Sequence, residues 1–468
     1  MKITLSFVCL ILSALTLIAK AQVGLPAVFS DNMVLQQRSD VPVWGWGNPN
    51  QEIKVVGSWA ISDTISTRIN DKGEWCLMLK TSEAGGPYSV SVLGENKIVF
   101  DDVMLGEVWL CSGQSNMAWT PESGLVNQKE EIATATDKNI RFFKFPPRAC
   151  DYPQRDYPDM EWEVCSPETM AYNSAVAYFF AKKIREAKNV PVGLIVSAWG
   201  GTPAETWIPK DSVENNPILC NNKMNERHPY RPVDPGVTYN QMIYPVIPYR
   251  IAGTIWYQGE SNCGYADTYG LLMKTLIESW RSDFGKDMPF YFVQIAPFCY
   301  NNANNGPAIL REQQEFVSKL VPNTGMIVVS DLVDDIYNIH PINKQDVGKR
   351  LADMALVKTY GDNISGYMSP TYRGMEIKGD KVMISFYDSE GGIVCRDKKV
   401  EGLFVAGQDG VWQPATGKIK DGVLIVSSDK VSNPINVRYC FDEATCGNLF
   451  AKGGLPVAPF RTDRRVSF

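Results

Sequence analysis

The sequence predicts an α/β protein: a parallel sheet covered by helices on both faces, flanked at each end by β-sandwich-like regions. Between about residues 106 and 364, dense apolar runs alternate with stretches of helical periodicity, the pattern of buried parallel strands joined by amphipathic helices. Upstream and downstream of that zone the apolar runs shorten, alternate with polar residues and are punctuated by Gly, Pro and Asn, as in antiparallel sheets. No internal repeat or low-complexity segment breaks this order.

Taken in order, residues 1–21 read as a secretory signal. Lys2 supplies the positive end, 3–18 the apolar stretch, and Ala19-Lys20-Ala21 a small-residue cleavage site before Gln22. The apolar run is too short for a membrane span, so the expected product is exported, periplasmic or secreted, with no span after processing. Residues 22–105 form an N-terminal β domain with strands near 41–47, 52–56 and 88–93; Trp44 and Trp46 are read as core packing rather than a sugar platform.

The central zone, 106–364, opens on the apolar segment Val108-Trp109-Leu110-Cys111. Ser174 caps a helix whose apolar face is Val176, Phe179, Phe180, Ile184 and Ala187, and Pro191 stops it. Strands follow near 192–196, 251–257, 290–295 and 326–329. The helices between and after them are one carrying Tyr269, Leu272, Met273, Leu276, Ile277 and Trp280, a second near 309–320, and a last at 344–360 with Val347, Leu351, Met354 and Ala355 inward. The Pro-rich stretch 229–248 reads as a long loop. Residues 365–468 return to short strands near 381–386, 403–406, 423–426 and 437–440.

The net charge of -6 lacks the basic footprint of a nucleic-acid binder. Cys9 leaves with the signal. Of the other cysteines, Cys150 with Cys165 and Cys440 with Cys446 are nearest in sequence, but spacing alone sets no connectivity, and small buried apolar residues are the expected reading. Cys111 is read as core.

The chain holds only two histidines, His228 and His340. A serine is a weak nucleophile at neutral pH and needs a neighbouring base. Ser115, in Gly113-Gln114-Ser115-Asn116-Met117, follows an apolar strand on a tight turn, and His340 lies in Asn338-Ile339-His340-Pro341 far downstream. In an open parallel sheet ligands bind beyond the carboxyl ends of the strands. Ser115, Trp199-Gly200-Gly201-Thr202, Gln258-Gly259-Glu260-Ser261-Asn262 and His340 all follow such ends. Acyl transfer then assigns Ser115 as nucleophile and His340 as base. The candidate oxyanion donors are the backbone N–H groups of Ser115 and Gly201 and the side-chain amide of Gln258. Glu260 is read as holding its loop, and His228 as a loop or substrate-side residue.

Gly106-Glu107-Val108-Trp109, the Gly113–Met117 run, Trp256-Tyr257-Gln258-Gly259-Glu260-Ser261-Asn262 and Ile339-His340-Pro341 with Asn343-Lys344 together resemble the sialate O-acetylesterase family of the SGNH-hydrolase group. The match extends to 29–36 at the front and 454–462 at the end, essentially the whole chain after the signal. The resemblance implies a flavodoxin-like catalytic core with β-rich accessory regions, acting on O-acetyl groups of sugars without a metal or other cofactor. It carries the nucleophile onto Ser115, the base onto His340 and the oxyanion donors onto Ser115, Gly201 and Gln258. Relatives often place an aspartate three or two residues before the histidine; here those positions are Tyr337 and Asn338. Asp334 or Asp335 looping back, a main-chain carbonyl, or a Ser–His dyad are the alternatives.

The expected partner is an O-acetylated carbohydrate, foremost O-acetylated sialic acid, with xylan, pectin or another plant glycan as the alternative. Trp119, Trp199, Trp256 and Tyr257 are candidates to stack on a sugar face, and Asn116 is a further candidate substrate contact. A sialic acid carboxylate calls for arginine, for which Arg148, Arg227, Arg231, Arg250 and Arg311 are available. Two rival classes are a non-catalytic glycan-binding protein, opposed by the intact Ser115 and His340, and a zinc deacetylase. The second fails for want of histidines and of a His-Glu-x-x-His run.

Overall fold

The computed structural model describes residues 22–301 and 305–463; the expected signal segment lies outside them. Its spine is one long strand, β1 (Lys97–Gly113). The first part of β1 pairs antiparallel with Gly85–Leu93 of the N-terminal β region, and its second part is the centre of a parallel sheet. β1 therefore runs without a break through position 105, where the central zone was expected to begin.

The other parallel strands are β2 (Ile140–Lys144), β3 (Val192–Ala198), β4 (Gly253–Tyr257), β5 (Phe290–Val293) and β6 (Thr324–Ile327). Their order across the sheet is β6-β5-β4-β1-β3-β2, every neighbouring pair parallel. Sequence reading missed β2, whose short apolar core is hidden among charged residues; its Arg141 is buried and paired with Asp102 at 3.1 Å.

Alternate side chains of each central strand enter different cores, which explains why these runs read as continuously apolar. Val108, Leu110, Phe290 and Phe292 face one core with helices α3 (Tyr269–Asp283) and α4 (Gly306–Leu320). Trp109, Cys111, Tyr291 and Val293 face the other, with α2 (Ala175–Lys188) and α5 (Lys344–Lys358). α2 starts where expected because Ser174 Oγ accepts the Ala177 N–H at 3.1 Å, and it ends on Asn189 in the left-handed region. Each of the fully buried Phe180, Leu276 and Leu351 contributes about 1.5–3 kcal/mol.

In the N-terminal region, Asp40–Trp46 pairs with Glu74–Lys80, and Glu52–Gly57 with Ile65–Arg68 and Gly85–Leu93. Trp44 packs edge-on against Phe29 at 4.7 Å and stays half-buried with Trp46, so the packing reading holds for Trp44. In the C-terminal region two four-stranded antiparallel sheets enclose their own core of Val382, Leu403, Val437 and neighbours. It is fastened to α4 by the Arg461–Glu312 ion pair at 2.7 Å. The ten described cysteines are all free thiols, the two nearest pairs in sequence included. The Pro-rich stretch contains a short helix, Val237–Met242.

Candidate active site

At the carboxyl edge of the sheet, Gln114, Ser115, Gly200, Gly201, Glu260, His340 and their neighbours line an open cleft of about 470 Å³. Its floor lies where β1 is flanked by β3 on one side and β4 on the other, the point at which the chain changes the direction of its progress across the sheet.

Ser115 owes its place to backbone geometry. Gly113 has φ +139, and a Cβ there would sit 2.2 Å from the Tyr257 carbonyl oxygen, so only glycine lets β1 turn against β4. The Gln114 N–H then closes on the Tyr257 carbonyl at 3.0 Å, and Ser115 opens a single helical turn, α1 (Ser115–Ala118). Its N–H is a first-turn donor with no intrahelical partner. Ser115 is partly exposed to the cleft. Gly201, with φ +75, lies opposite; a Cβ would meet Arg231 Cδ at 2.8 Å.

The loop after β4 is tied to both. Gln114 Oε1 accepts the Gly259 and Ser261 N–H groups at 3.4 Å each, and the Ser261 hydroxyl donates to the Gly201 carbonyl at 2.9 Å. Gln258 requires a correction. It is fully buried, its Nε2 donates to Asn262 Oδ1 at 2.7 Å and to the Thr202 carbonyl at 3.3 Å, and its Oε1 accepts the Tyr269 hydroxyl. Both amide hydrogens are taken, so Gln258 braces the loop. Ser115 and Gly201 both line the cleft.

His340 lines the same cleft on the segment between β6 and α5. Its ring stacks on Trp119 with centroids 4.5 Å apart and planes 22° from parallel. Its backbone N–H donates to Asn338 Oδ1 at 3.0 Å, and its ring Nε2 is buried without a hydrogen-bond partner. Burial, and then the nearby Lys344 charge, push its pKa down to about 4, so the ring is neutral at physiological pH and able to accept a proton.

The acid readings are corrected as well. Asp334 and Asp335 are exposed and serve the backbone: Asp335 Oδ1 accepts the Tyr337 N–H at 2.9 Å, and Asp334 Oδ1 the Ile342 N–H at 3.4 Å. Among the described residues no carboxylate hydrogen-bonds to the imidazole.

Of the expected substrate contacts, Trp256 is a core residue, fully buried against Trp207, Trp280 and Phe290, because its strand position points it into the α3–α4 core. Tyr257 is equally buried. Asn116 is fully buried too: its Nδ2 donates to Glu260 Oε1 at 2.7 Å and to the Ile339 carbonyl at 3.1 Å, and its Oδ1 accepts from Lys344 at 2.5 Å. Trp199 is half-exposed, its Nε1 donating to the Tyr230 carbonyl at 3.2 Å. Of the five arginines weighed, Arg231 lines the cleft. Arg311 is buried under the C-terminal region, Arg227 pairs with Asp234, Arg250 donates to the Asp40 carbonyl and Arg148 lies over Tyr157. His228 sits two residues before Tyr230, which also lines the cleft.

Sequence reasoning missed Lys344, Tyr230 and Gln114. Lys344 left one signal: a cation in the first turn of a helix faces the positive end of the helix dipole, an unfavourable place unless a partner compensates. Among the described residues no cluster of three or more His, Cys, Asp and Glu is arranged to hold a metal, and no helix is long and apolar enough to cross a membrane.

A carbohydrate acetylesterase from Xanthomonas citri superposes with a TM-score of 0.86 at 34% identity, covering 95% of this chain and 100% of its own. Sialate O-acetylesterase from Mus musculus is 28% identical over 93% of both chains, and that from Homo sapiens 29% identical over 79% of this chain and 78% of its own. Residues 105–357, more than half of the chain, match the family described as carbohydrate esterase, sialic acid-specific acetylesterase. The chain belongs to that family, and is accordingly a carboxylic ester hydrolase that takes acetyl groups from sugars.

Proposed function

We propose that Ser115 and His340 carry out this deacetylation as a serine–histidine dyad. Ser115 Oγ attacks the acetyl carbonyl carbon while His340 takes its proton. The tetrahedral oxyanion is received by the N–H groups of Ser115 and Gly201, each such donor being worth about 3 kcal/mol in the transition state. His340 returns the proton to the departing sugar oxygen. Water, activated by the same ring, then releases acetate from the acetyl-serine. The observation that carries this reading is the meeting of Ser115, Gly201 and a neutral, unpartnered His340 in one cleft.

As substrate we favour O-acetylated sialic acid, with Arg231 at the cleft as the cation for its carboxylate and Trp199 as a platform beside it. The alternative is an acetylated plant glycan such as xylan or pectin; the Xanthomonas citri protein, more similar in sequence than the sialate esterases compared, is a carbohydrate acetylesterase with no sialic acid in its description. Acetate release from 9-O-acetylated sialic acid and from acetylated xylo-oligosaccharides separates them. Sialate turnover that is abolished by Ser115→Ala and weakened selectively by Arg231→Ala supports the first. Turnover of xylo-oligosaccharide alone, indifferent to Arg231, replaces it. Failure of a fluorophosphonate to label Ser115 would return the chain to the class of glycan-binding proteins.

In the same reading the chain is exported after removal of residues 1–21. It divides into 22–105, a catalytic 106–364 and 365–468, the outer two sandwich-like. Amino-terminal sequencing of the exported protein, expected to begin at Gln22, tests the processing.

A further inference from the structure

Beneath the cleft lies a buried polar cluster that the dyad chemistry does not use. Lys344 and Asn116 are fully buried, and Glu260 is nearly so. Lys344 Nζ donates to Asn116 Oδ1 and lies over the rings of Trp119 and Tyr257, 5.8 and 5.6 Å from their centroids. Asn116 Nδ2 joins Glu260 Oε1 and the Ile339 carbonyl, and Glu260 Oε2 is buried without a partner. Asn116 follows the nucleophile, Ile339 precedes the base, and Glu260 belongs to the loop that Gln114 and Ser261 fasten to Gly201. Three separate segments of the site thus meet on one carboxamide. Trp119, one face of which meets the His340 ring, also packs on the Lys344 ammonium.

Burying a lone ammonium or carboxylate is costly, and a cluster of this kind is retained where it specifies an arrangement. We propose that Lys344, acting through Asn116 and Trp119 and offset by Glu260, is a positioning residue of the Ser115–His340 pair, whose positive charge adds to burial in disfavouring the imidazolium of the unsupported histidine and makes the enzyme an acid-tolerant esterase. The inference rests on the dyad reading above. A triad carboxylate stabilises the imidazolium; here the buried Lys344 cation disfavours it. The charged and titratable groups around His340 are Lys344 from α5, Glu260 and Tyr257 from the β4 side, Asp334 and Asp335 from its own segment, and Arg231 from the loop across the cleft. Burial lowers the Lys344 pKa to about 7, with Glu260 and Asp334 holding it up. Lys344 is therefore charged throughout the range in which His340 titrates.

The sign follows directly. Catalysis needs neutral His340, so activity is present above its pKa and is lost as pH falls through about 4. The test is the pH profile of kcat/KM for the full chain, Lys344→Met, Glu260→Gln and His340→Ala, with circular dichroism to establish folding. In the unmodified enzyme the acid limb should fall well below the ordinary histidine value; a limb near 6.5 overturns the proposal without any variant. Lys344→Met should raise the limb, by less than burial lowers it, and lower kcat about ten- to a hundredfold with little change in KM. Glu260→Gln removes the negative charge and should leave the limb at or below its original position. If both variants lose activity with the limb unmoved, the cluster is structural support only and the proposal fails. If His340→Ala retains activity, it is the dyad reading that fails.

Discussion

The serine turn and the histidine segment are held in place by different physics. Ser115 is set by backbone alone: the register of Gly113 opposite Tyr257 in β4 and Ala198 in β3, a positive φ, and the Gln114 N–H on a carbonyl. His340 sits on a segment without regular structure and is set by side chains: Asn338 on its N–H, Asn116 on the preceding carbonyl, Trp119 against its ring. A nucleophile fixed by strand pairing is insensitive to most neighbouring substitutions. A base fixed by a few polar contacts is sensitive to each of them.

The comparison can be broken or sharpened in steps of decreasing size. Ser115→Ala and His340→Ala should each lose about a thousandfold or more in kcat with the fold intact, since a dyad acts as a unit. A substantially smaller loss in either one would mean that the two do not work together. Gly201→Ala introduces a Cβ at φ +75 that meets Arg231 Cδ at 2.8 Å, and should cost about 10²–10³ in kcat by displacing one oxyanion donor. Unchanged kcat there would leave Ser115 N–H as the working donor.

Gly348→Ala acts on the helix that follows the histidine segment. A Cβ there would lie 2.7 Å from Phe179 Cβ and from the Val176 carbonyl oxygen, forcing α5 away from α2. The expected cost is about 1–3 kcal/mol in stability, read as a lowered Tm, together with reduced kcat at little changed KM. Asn338→Ala removes the acceptor of the His340 N–H and should cost about fivefold to tenfold in kcat, the worth of one such hydrogen bond. At the small end, Asp334→Asn and Asp335→Asn should change kcat by less than about twofold, as their carboxylates contact backbone rather than the ring. A large loss from either would restore a triad and remove the contrast.

Periodicity and capping signals were enough for the helices and most strands of the central sheet. Ser174 as a cap and the apolar runs of β1, β4 and β5 are local properties of the chain, and the expected ends of α2 and α5 lie within a few residues of those observed. β2 was hidden because its five residues carry two cations, one of them neutralised only by Asp102, which is distant in sequence. Ser115, Gly201 and His340 were legible because each follows a strand end, and a parallel sheet gathers its strand ends on one edge.

What the sequence determined by itself, then, was the sheet, its helices and the strand ends that bring Ser115, Gly201 and His340 to one cleft. The tertiary structure alone decided which way the neighbouring side chains point. Gln258, Asn116 and Trp256 look like substrate-facing groups in the motif, yet strand register and loop packing turn all three inward, Gln258 onto Thr202, Asn262 and Tyr269, Trp256 into the α3–α4 core, and Asn116 onto partners far away in the chain. The same packing leaves Asp334 and Asp335 on the surface and brings Lys344 beneath the histidine. Direction and burial depend on contacts between segments more than a hundred residues apart, as Asn116 and Lys344 are, and no local pattern encodes these.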